Sequence, residues 1–155
     1  MFKKLLETEN DTATMILRVL LGVVFFPHGM QKLLGWFGGP GFSGMMDMFT
    51  TKMGVPAVFA FLAIMAEGLG SLGLLTGLLT RVAAFGITVN MVVAVYMIHW
   101  HNGFFMNWFG AMTSEGKPAG EGFEYHILAV AIGIALMIRG GGKWSVDRAI
   151  AAKLK

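Results

Sequence analysis

Four apolar runs separated by polar or glycine-rich stretches dominate the chain, at about residues 12–34, 56–79, 81–101 and 123–139. As helices, the first three are long enough to cross a hydrocarbon core of ~30 Å, and the fourth would reach ~25 Å. The pattern therefore predicts an all-α membrane protein, in which a four-helix transmembrane bundle forms a single domain over residues 1–155.

The connecting stretches predict smaller elements around this bundle. The segment between the first two runs is rich in glycine and then in methionine and phenylalanine, which indicates an interfacial segment anchored by Trp36 and Phe37. Asp11 can cap the first helix. A longer polar loop is expected at about residues 102–122. The tail restarts as a basic amphipathic helix, which we expect to lie on the membrane.

The basic residues outside the apolar runs are distributed unequally between the two sides of the predicted bundle. One side carries only Lys52 and Lys117, and the other carries Lys3, Lys4, Arg81, Arg139, Lys143, Arg148, Lys153 and Lys155. The positive-inside rule then places both termini in the cytoplasm. The acidic residues before the first run and the lack of a small-residue cleavage site indicate that this span is not a cleaved signal peptide.

Composition narrows the possible chemistry. The chain has 155 residues, of which 55% are hydrophobic and 14% charged, with a mean hydropathy of +0.67. These values are typical of a membrane protein rather than a soluble domain. The net charge of +3 resides at helix ends and in the tail, so nucleic acid is not an expected partner. There is no cysteine, which excludes thiol relays and cysteine-ligated clusters within this chain. Redox chemistry would require a bound cofactor or another subunit.

A first level of candidate residues lies inside the predicted membrane. Glu67 is the only charged residue between Met53 and Leu79, and a carboxylate at mid-membrane costs several kcal/mol unless it is paired, protonated or hydrated. Counting from the cytoplasmic side, Arg18 would lie ~9 Å, Asn90 ~14 Å and Glu67 ~18 Å deep. We therefore expect Arg18 to pair with Glu67 and Asn90 to hydrogen-bond to them. The group is either a proton-accepting catalytic level or an ion pair that sets helix packing.

A second level of candidate residues lies near the outer surface, where three helix ends bring together all four histidines. These candidates are His28, Lys32, His99, Trp100, His101, Glu124, Tyr125 and His126. Imidazole can bind a quinone carbonyl and move protons, and the quinone ring could stack on Trp100 or Tyr125. No strong metal-ligand motif is present. As an alternative, His28, His99, His101 and His126 could bind copper together with nearby methionines.

Three sequence blocks resemble the DoxX family of small bacterial membrane proteins. They are LRVLLGVVFFPHGMQKLLGW, AEGLGSLGLLTGLLTRVAA and KWSVDRAI, and the likeness covers nearly the whole chain. The resemblance implies a four-helix protein of the bacterial inner membrane, and relatives are linked to quinone-dependent oxidoreductases and to oxidative stress. It also implies that the family's motif positions correspond to Arg18, His28, Lys32, Glu67 and Arg81.

Two functions are compatible with these features. The first is a quinone-interacting subunit of a membrane oxidoreductase, in which electrons come from a partner subunit or a periplasmic donor. The alternative is a non-enzymatic scaffold, or a protein that handles a small molecule or a metal such as copper. The glycine-rich faces are compatible with packing inside one bundle or in a homo-oligomer.

Overall fold

The computed structural model describes residues 2–154, and within that range it is helical, with no β-strand. Its α-helices are α1 (Phe2–Leu6), α2 (Thr12–Leu34), α3 (Gly41–Asp47), α4 (Ala57–Thr76), α5 (Thr80–Ala94), α6 (Glu124–Arg139) and α7 (Val146–Ala151). Short 3₁₀ turns lie at Trp36–Gly38 and Trp100–Asn102, and π-helical turns lie at Met48–Lys52 and Val95–His99.

Three helical segments are long and apolar enough to span a membrane: Thr12–Leu34, Ala57–Thr76, and the continuous run Thr80–Asn102. They confirm the first three predicted spans. α6 has 16 residues, so a fourth span remains a prediction. The second span ends earlier than predicted because Gly77 takes a left-handed conformation (φ 70°) and donates its backbone N–H to the carbonyl of Gly73.

The core lies among α2, α4, α5 and α6, where α2 packs against α4 and α6, and α5 packs against α4 and α6. The buried side chains at its centre are Leu21, Phe25, Leu74, Ala83, Ala84, Ile87, Met91, Ala129 and Leu136. The outward faces of the same helices carry exposed apolar side chains such as Val23, Phe59 and Phe85. An apolar core surrounded by an apolar surface is the arrangement expected of a protein embedded in lipid.

The first span begins as its sequence predicts. Asp11 caps α2, since its carboxylate accepts hydrogen bonds from the backbone N–H groups of Ala13 and Thr14. Its side chain also accepts a bond from the Thr14 hydroxyl, and these bonds lower the pKa of Asp11. Asp11 therefore stabilises the start of α2 in its ionised form.

The segment between α2 and α4 folds back onto both helices through α3. The rings of Phe42 and Phe61 meet edge to face at 6.2 Å. Trp36 and Phe37 are 51% and 63% exposed, as the predicted anchors require. Their position at a membrane interface remains a prediction.

The tail forms the predicted helix, α7, but one side of the tail is buried against the bundle. Asp147 is 1% exposed, and its carboxylate accepts hydrogen bonds from the backbone N–H groups of Leu79 and Thr80, at 2.6 and 2.8 Å. The N–H of Asp147 in turn donates to the carbonyl of Gly77. α7 therefore closes the tight turn between α4 and α5 and caps α5.

Candidate functional site

A buried ion pair joins α2 to α4. The ammonium group of Lys32 bonds to carboxylate oxygen Oε2 of Glu67, and the two side chains are 25% and 6% exposed. The side-chain amide of Asn90, on α5, donates to the carbonyl of Ala63 at 2.7 Å and to Oε1 of Glu67 at 3.4 Å. The predicted contact between Asn90 and Glu67 is therefore confirmed, and three helices contribute to one polar cluster.

A close approach of two backbones brings Lys32 and Glu67 together. A Cβ atom added at Gly29 would lie 2.5 Å from the carbonyl oxygen of Glu67, so only glycine fits there without a shift of the helices. One turn after Gly29 in α2, the side chain of Leu33 lies against Gly68 of α4. These glycines let α2 and α4 pack at short range, as small residues do in membrane helices.

The predicted pairing of Arg18 with Glu67 is wrong. Arg18 is 1% exposed and donates to five backbone carbonyls, those of Leu74, Leu75, Gly141, Lys143 and Trp144. The first two belong to the last turn of α4, where carbonyls lack partners within the helix, and the other three belong to the tail.

The register of α2 against α4 explains the error. The predicted boundaries placed Arg18 and Glu67 ~9 Å apart along the bundle axis. In the structure, Gly29 faces Gly68 and Gly22 faces Leu75. Relative to the predicted alignment, α2 is shifted by about six residues along α4, which doubles the axial separation of Arg18 and Glu67 to ~18 Å. An arginine side chain cannot reach that far. Arg18 therefore lies outside the Glu67 cluster and ties the tail to the end of α4.

Two of the four histidines meet where the end of the third span faces the start of α6. The rings of His99 and His126 are 4.1 Å apart between centroids, with an angle of 44° between their planes. Nδ1 of His99 is 2.8 Å from the carbonyl oxygen of Glu121, whereas Nδ1 of the buried His126 has no hydrogen-bond partner among residues 2–154. A buried imidazole nitrogen without a partner is a candidate for contact with water or a ligand.

Tyr125 extends this polar region toward the core. Its ring stacks on Phe25 with a centroid distance of 6.3 Å, and it meets His126 edge to face at 5.5 Å. The Tyr125 hydroxyl is buried and also lacks a hydrogen-bond partner in the part of the chain that the structure describes. Two adjacent residues of α6 therefore each carry one unpaired polar atom.

The other two histidines lie apart from this pair. His28 and His101 are exposed, and within residues 2–154 neither makes a ring or hydrogen-bond contact with another histidine. In the same part of the chain, no three His, Asp or Glu side chains converge as a metal-ligand set. The copper alternative therefore remains a prediction for which this structure offers no assembled ligands.

Glu124 and Lys32 were predicted at the histidine level, but both engage other partners. The carboxylate of Glu124 accepts hydrogen bonds from the backbone N–H of Met106 at 2.9 Å and from the indole N–H of Trp108 at 2.7 Å. Glu124 thus holds the loop between α5 and α6, while Lys32 pairs with Glu67. The proposed histidine level contains fewer free polar groups than the sequence predicts.

An open groove of about 580 Å³ lies at the end of the third span. It is lined by Tyr96, Met97, Trp100 and His101, which all belong to the last two helical turns of that span. Trp100 lies parallel to Phe123 at 5.5 Å, which fixes the orientation of its ring. Trp100 and His101 were predicted site residues, but Tyr96 and Met97 were not. Their i, i+4 spacing to Trp100 and His101 at the end of an apolar run was the signal that could have found them.

Comparison with known proteins agrees with this architecture. A family model described as DoxX matches residues 13–100, which is more than half of the chain. The chain belongs to the DoxX family. The matched region contains Lys32, Glu67 and Asn90, which form the Glu67 cluster. It also contains Arg18 of α2, whose side chain bonds to the end of α4.

Relatives of this DoxX protein cover most of its length. It is 29% identical to "Uncharacterized membrane protein Rv3486" of Mycobacterium tuberculosis, over 97% of this chain and 88% of the relative. It is 25% identical to "Inner membrane protein YqjF" of Escherichia coli, over 93% and 96%. It is also 25% identical to "Putative oxidoreductase CatD" of Bacillus subtilis, over 81% and 79%. No solved structure matches the chain.

Proposed function

We propose that this DoxX protein is the quinone-interacting subunit of a membrane oxidoreductase. The observation that carries the proposal is the groove at the end of the third span, which is lined by the indole of Trp100 and the imidazole of His101, the two residues that follow His99 in the chain. The printed name of the Bacillus relative, "Putative oxidoreductase CatD", is compatible with this class of activity.

The residues of the groove fit a quinone headgroup. The exposed rings of Tyr96 and Trp100 offer flat apolar surfaces on which a quinone ring can stack, and the imidazole of His101 can donate a hydrogen bond to a quinone carbonyl. Exposed apolar residues of α5, including Val92 and Val93, continue from the groove and could accommodate an isoprenoid tail. When bound, the quinone would accept two electrons and two protons.

The polar residues of the bundle would manage the protons. The Lys32–Glu67–Asn90 cluster is a buried set of groups with exchangeable protons. The unpaired atoms of Tyr125 and His126 lie on α6, the helix that supplies one member of the histidine pair. His99 would connect this region to the outer loop through its bond to Glu121. Because the chain has no cysteine, a partner subunit or a soluble donor would supply the electrons.

Membrane placement completes the proposal. α6 would form a fourth, short span of ~24 Å, packed between α2 and α5. Arg81, Arg139 and the basic tail would face the cytoplasm of the bacterial inner membrane, and both termini would lie on that side. The relative named "Inner membrane protein YqjF" is compatible with this localisation.

The test is quinone binding by the purified protein. Quinone should co-purify with the chain, and titration with a short-chain quinone should quench tryptophan fluorescence. His101→Gln should weaken quinone binding by about tenfold. That factor corresponds to about 1.4 kcal/mol, which is within the range of one hydrogen bond between neutral groups. His28→Gln is the matched control, since His28 is exposed but does not line the groove, and it should bind as the unchanged protein does. If no quinone is extracted and none binds on titration, the proposal is wrong.

A second candidate function is a non-enzymatic scaffold. It is favoured by the pairing of Glu67 with Lys32 next to the close approach of α2 and α4 at Gly29, which is what an ion pair that specifies helix register would show. In that case Glu67→Gln would weaken assembly with a partner or with a second copy, while quinone binding and electron transfer would both be absent. Measuring assembly and quinone binding on the same preparation separates the two functions.

A further inference from the structure

The loop between α5 and α6 (residues 103–122, here the aromatic loop) turns its largest apolar side chains outward. Phe105 is 73% exposed, Trp108 75%, Phe109 100% and Met112 59%. These residues lie close together in sequence at one end of the loop. Exposed apolar side chains gathered in this way mark a surface that contacts something other than water.

Charges are absent from the same part of the loop. No Asp, Glu, Lys or Arg occurs from Asn102 to Ser114. The first charged residues, Glu115 and Lys117, form an exposed ion pair at 3.0 Å beyond the apolar stretch. The aromatic loop therefore has an uncharged tip and a charged edge.

Internal hydrogen bonds hold the tip in shape. The side-chain amide of Asn107 donates to the carbonyls of Ala111 and Ala119, and its side-chain oxygen accepts from the N–H of Ala111. The N–H of Asn107 donates to the carboxylate of Glu121. The N–H of Ala119 donates to the carbonyl of Ala111 across the base of the tip. Backbone groups that are satisfied internally can leave water at low cost.

We propose that the tip of the aromatic loop, residues 105–112, inserts into the interfacial layer of the bilayer beside the end of the third span. The loop begins at Gly103, directly after the span that ends at Asn102, so its tip cannot move far from the membrane surface. Tryptophan and other aromatic side chains concentrate in that layer. The partner is the lipid bilayer, and the groove at Tyr96 and Trp100 then opens beside a loop embedded in lipid. This inference does not depend on quinone binding.

Site-directed spin labelling tests the insertion directly, because the chain contains no cysteine and one can be introduced at a chosen position. Phe109→Cys carries the label at the fully exposed tip, and Glu115→Cys carries the same label at the charged edge of the same loop. In vesicles of phosphatidylcholine and phosphatidylglycerol, we expect the label at position 109 to collide with oxygen several-fold more often, relative to a soluble nickel chelate, than the label at 115. Equal access of the nickel chelate to both positions would overturn the proposal.

A second measurement removes any influence of the label. In a chain whose other tryptophans are replaced (Trp36→Phe, Trp100→Phe and Trp144→Phe), Trp108 is the only indole. Vesicles whose lipids carry bromine near the top of the acyl chains should quench its fluorescence, and aqueous iodide should quench it weakly. Strong iodide quenching without bromolipid quenching would refute insertion. If neither quencher reaches Trp108, protein rather than lipid covers the tip, and the proposal fails in favour of a second copy or a partner subunit.

Discussion

The pairing of Lys32 with Glu67 can be tested by a double-mutant cycle. Lys32→Met replaces the ammonium with an apolar side chain of similar length, and Glu67→Gln removes the charge while keeping the shape of the carboxylate. Because the two charged groups contact each other directly, their removal should not have additive effects on the free energy of unfolding.

The magnitudes follow from the burial of each partner. Lys32→Met leaves a 94%-buried carboxylate with only the 3.4 Å contact to Asn90, so it should cost about 3–5 kcal/mol. Glu67→Gln should cost less, about 1–2 kcal/mol, because the side chain of Lys32 is 25% exposed and can extend its ammonium toward the interface. The double variant leaves no unpaired charge. It should cost about 1–2 kcal/mol, the same as Glu67→Gln alone, which gives a coupling energy of about 3–5 kcal/mol.

Reversible unfolding in mixed detergent micelles, followed by circular dichroism across a denaturing-detergent titration, would measure these free energies. The matched control is a second cycle, with Arg18→Gln and Glu67→Gln. Arg18 is bonded to carbonyls at the end of α4 and in the tail, so its effect should add to that of Glu67→Gln within about 0.5 kcal/mol. Strong coupling in the Arg18 cycle, with none in the Lys32 cycle, would refute the pairing described above.

Three further predictions concern single contacts. Gly29→Ala should destabilise the bundle by about 1–3 kcal/mol, because its Cβ would lie 2.5 Å from a backbone carbonyl of α4. Gly70→Ala should change stability by less than about 1 kcal/mol in the same unfolding assay, because its Cβ would meet the side chain of Ile87 at 3.4 Å, an ordinary van der Waals distance. Asp147→Ala should lower the free energy of unfolding by about 1–2 kcal/mol, because two hydrogen bonds from backbone N–H groups are lost. Asp47 is exposed, so the control Asp47→Ala should have little effect. Equal losses in the two variants would contradict the capping role of Asp147. The pKa of Asp11 is lowered in the folded protein, so its ionised carboxylate adds to the free energy of unfolding above the ordinary pKa of 3.8, and this stabilisation is lost as pH falls through the folded pKa. The difference in free energy of unfolding between the unchanged protein and Asp11→Asn should therefore shrink below pH 3.8. A difference that stays constant across pH would count against this role of Asp11.

The sequence predicts local features of the fold better than the alignment of one helix against another. α2 runs from Thr12 to Leu34, as predicted, because Asp11 caps its start and a left-handed Gly35 (φ 74°) ends it. The burial of Glu67 and its contact with Asn90 follow from their positions in apolar runs. Each of these inferences depends on residues within one helix or at a depth that hydropathy defines.

Helix register could not be obtained from the same information. Small and apolar residues recur along both α2 and α4, so hydropathy alone does not fix how far one helix is shifted along the other. The contact at Gly29 selects the register, and that contact becomes visible only once the backbones are in place. This register determines that Lys32, and not Arg18, pairs with Glu67.

The outer loop departs from expectation for a related reason. Its composition predicts a polar loop, but the carboxylates of Glu121 and Glu124 accept hydrogen bonds from backbone N–H groups of the loop, and the apolar rings of Trp108 and Phe109 are exposed. These hydrogen bonds cross 14 to 18 residues of chain. No periodic pattern in the sequence reports such contacts.

The carbonyls that surround Arg18 impose an order on the biogenesis of the protein. Three of the five come from residues 141–144, so they do not exist while the ribosome is still translating the spans that hold the arginine in place. Arg81 likewise donates to carbonyls of Met137 and Ile138. The early spans are therefore synthesised before these acceptors exist, and residues 137–144 complete the hydrogen bonds of both guanidinium groups later. A chain truncated before residue 141 would lack three of the five carbonyl acceptors of Arg18.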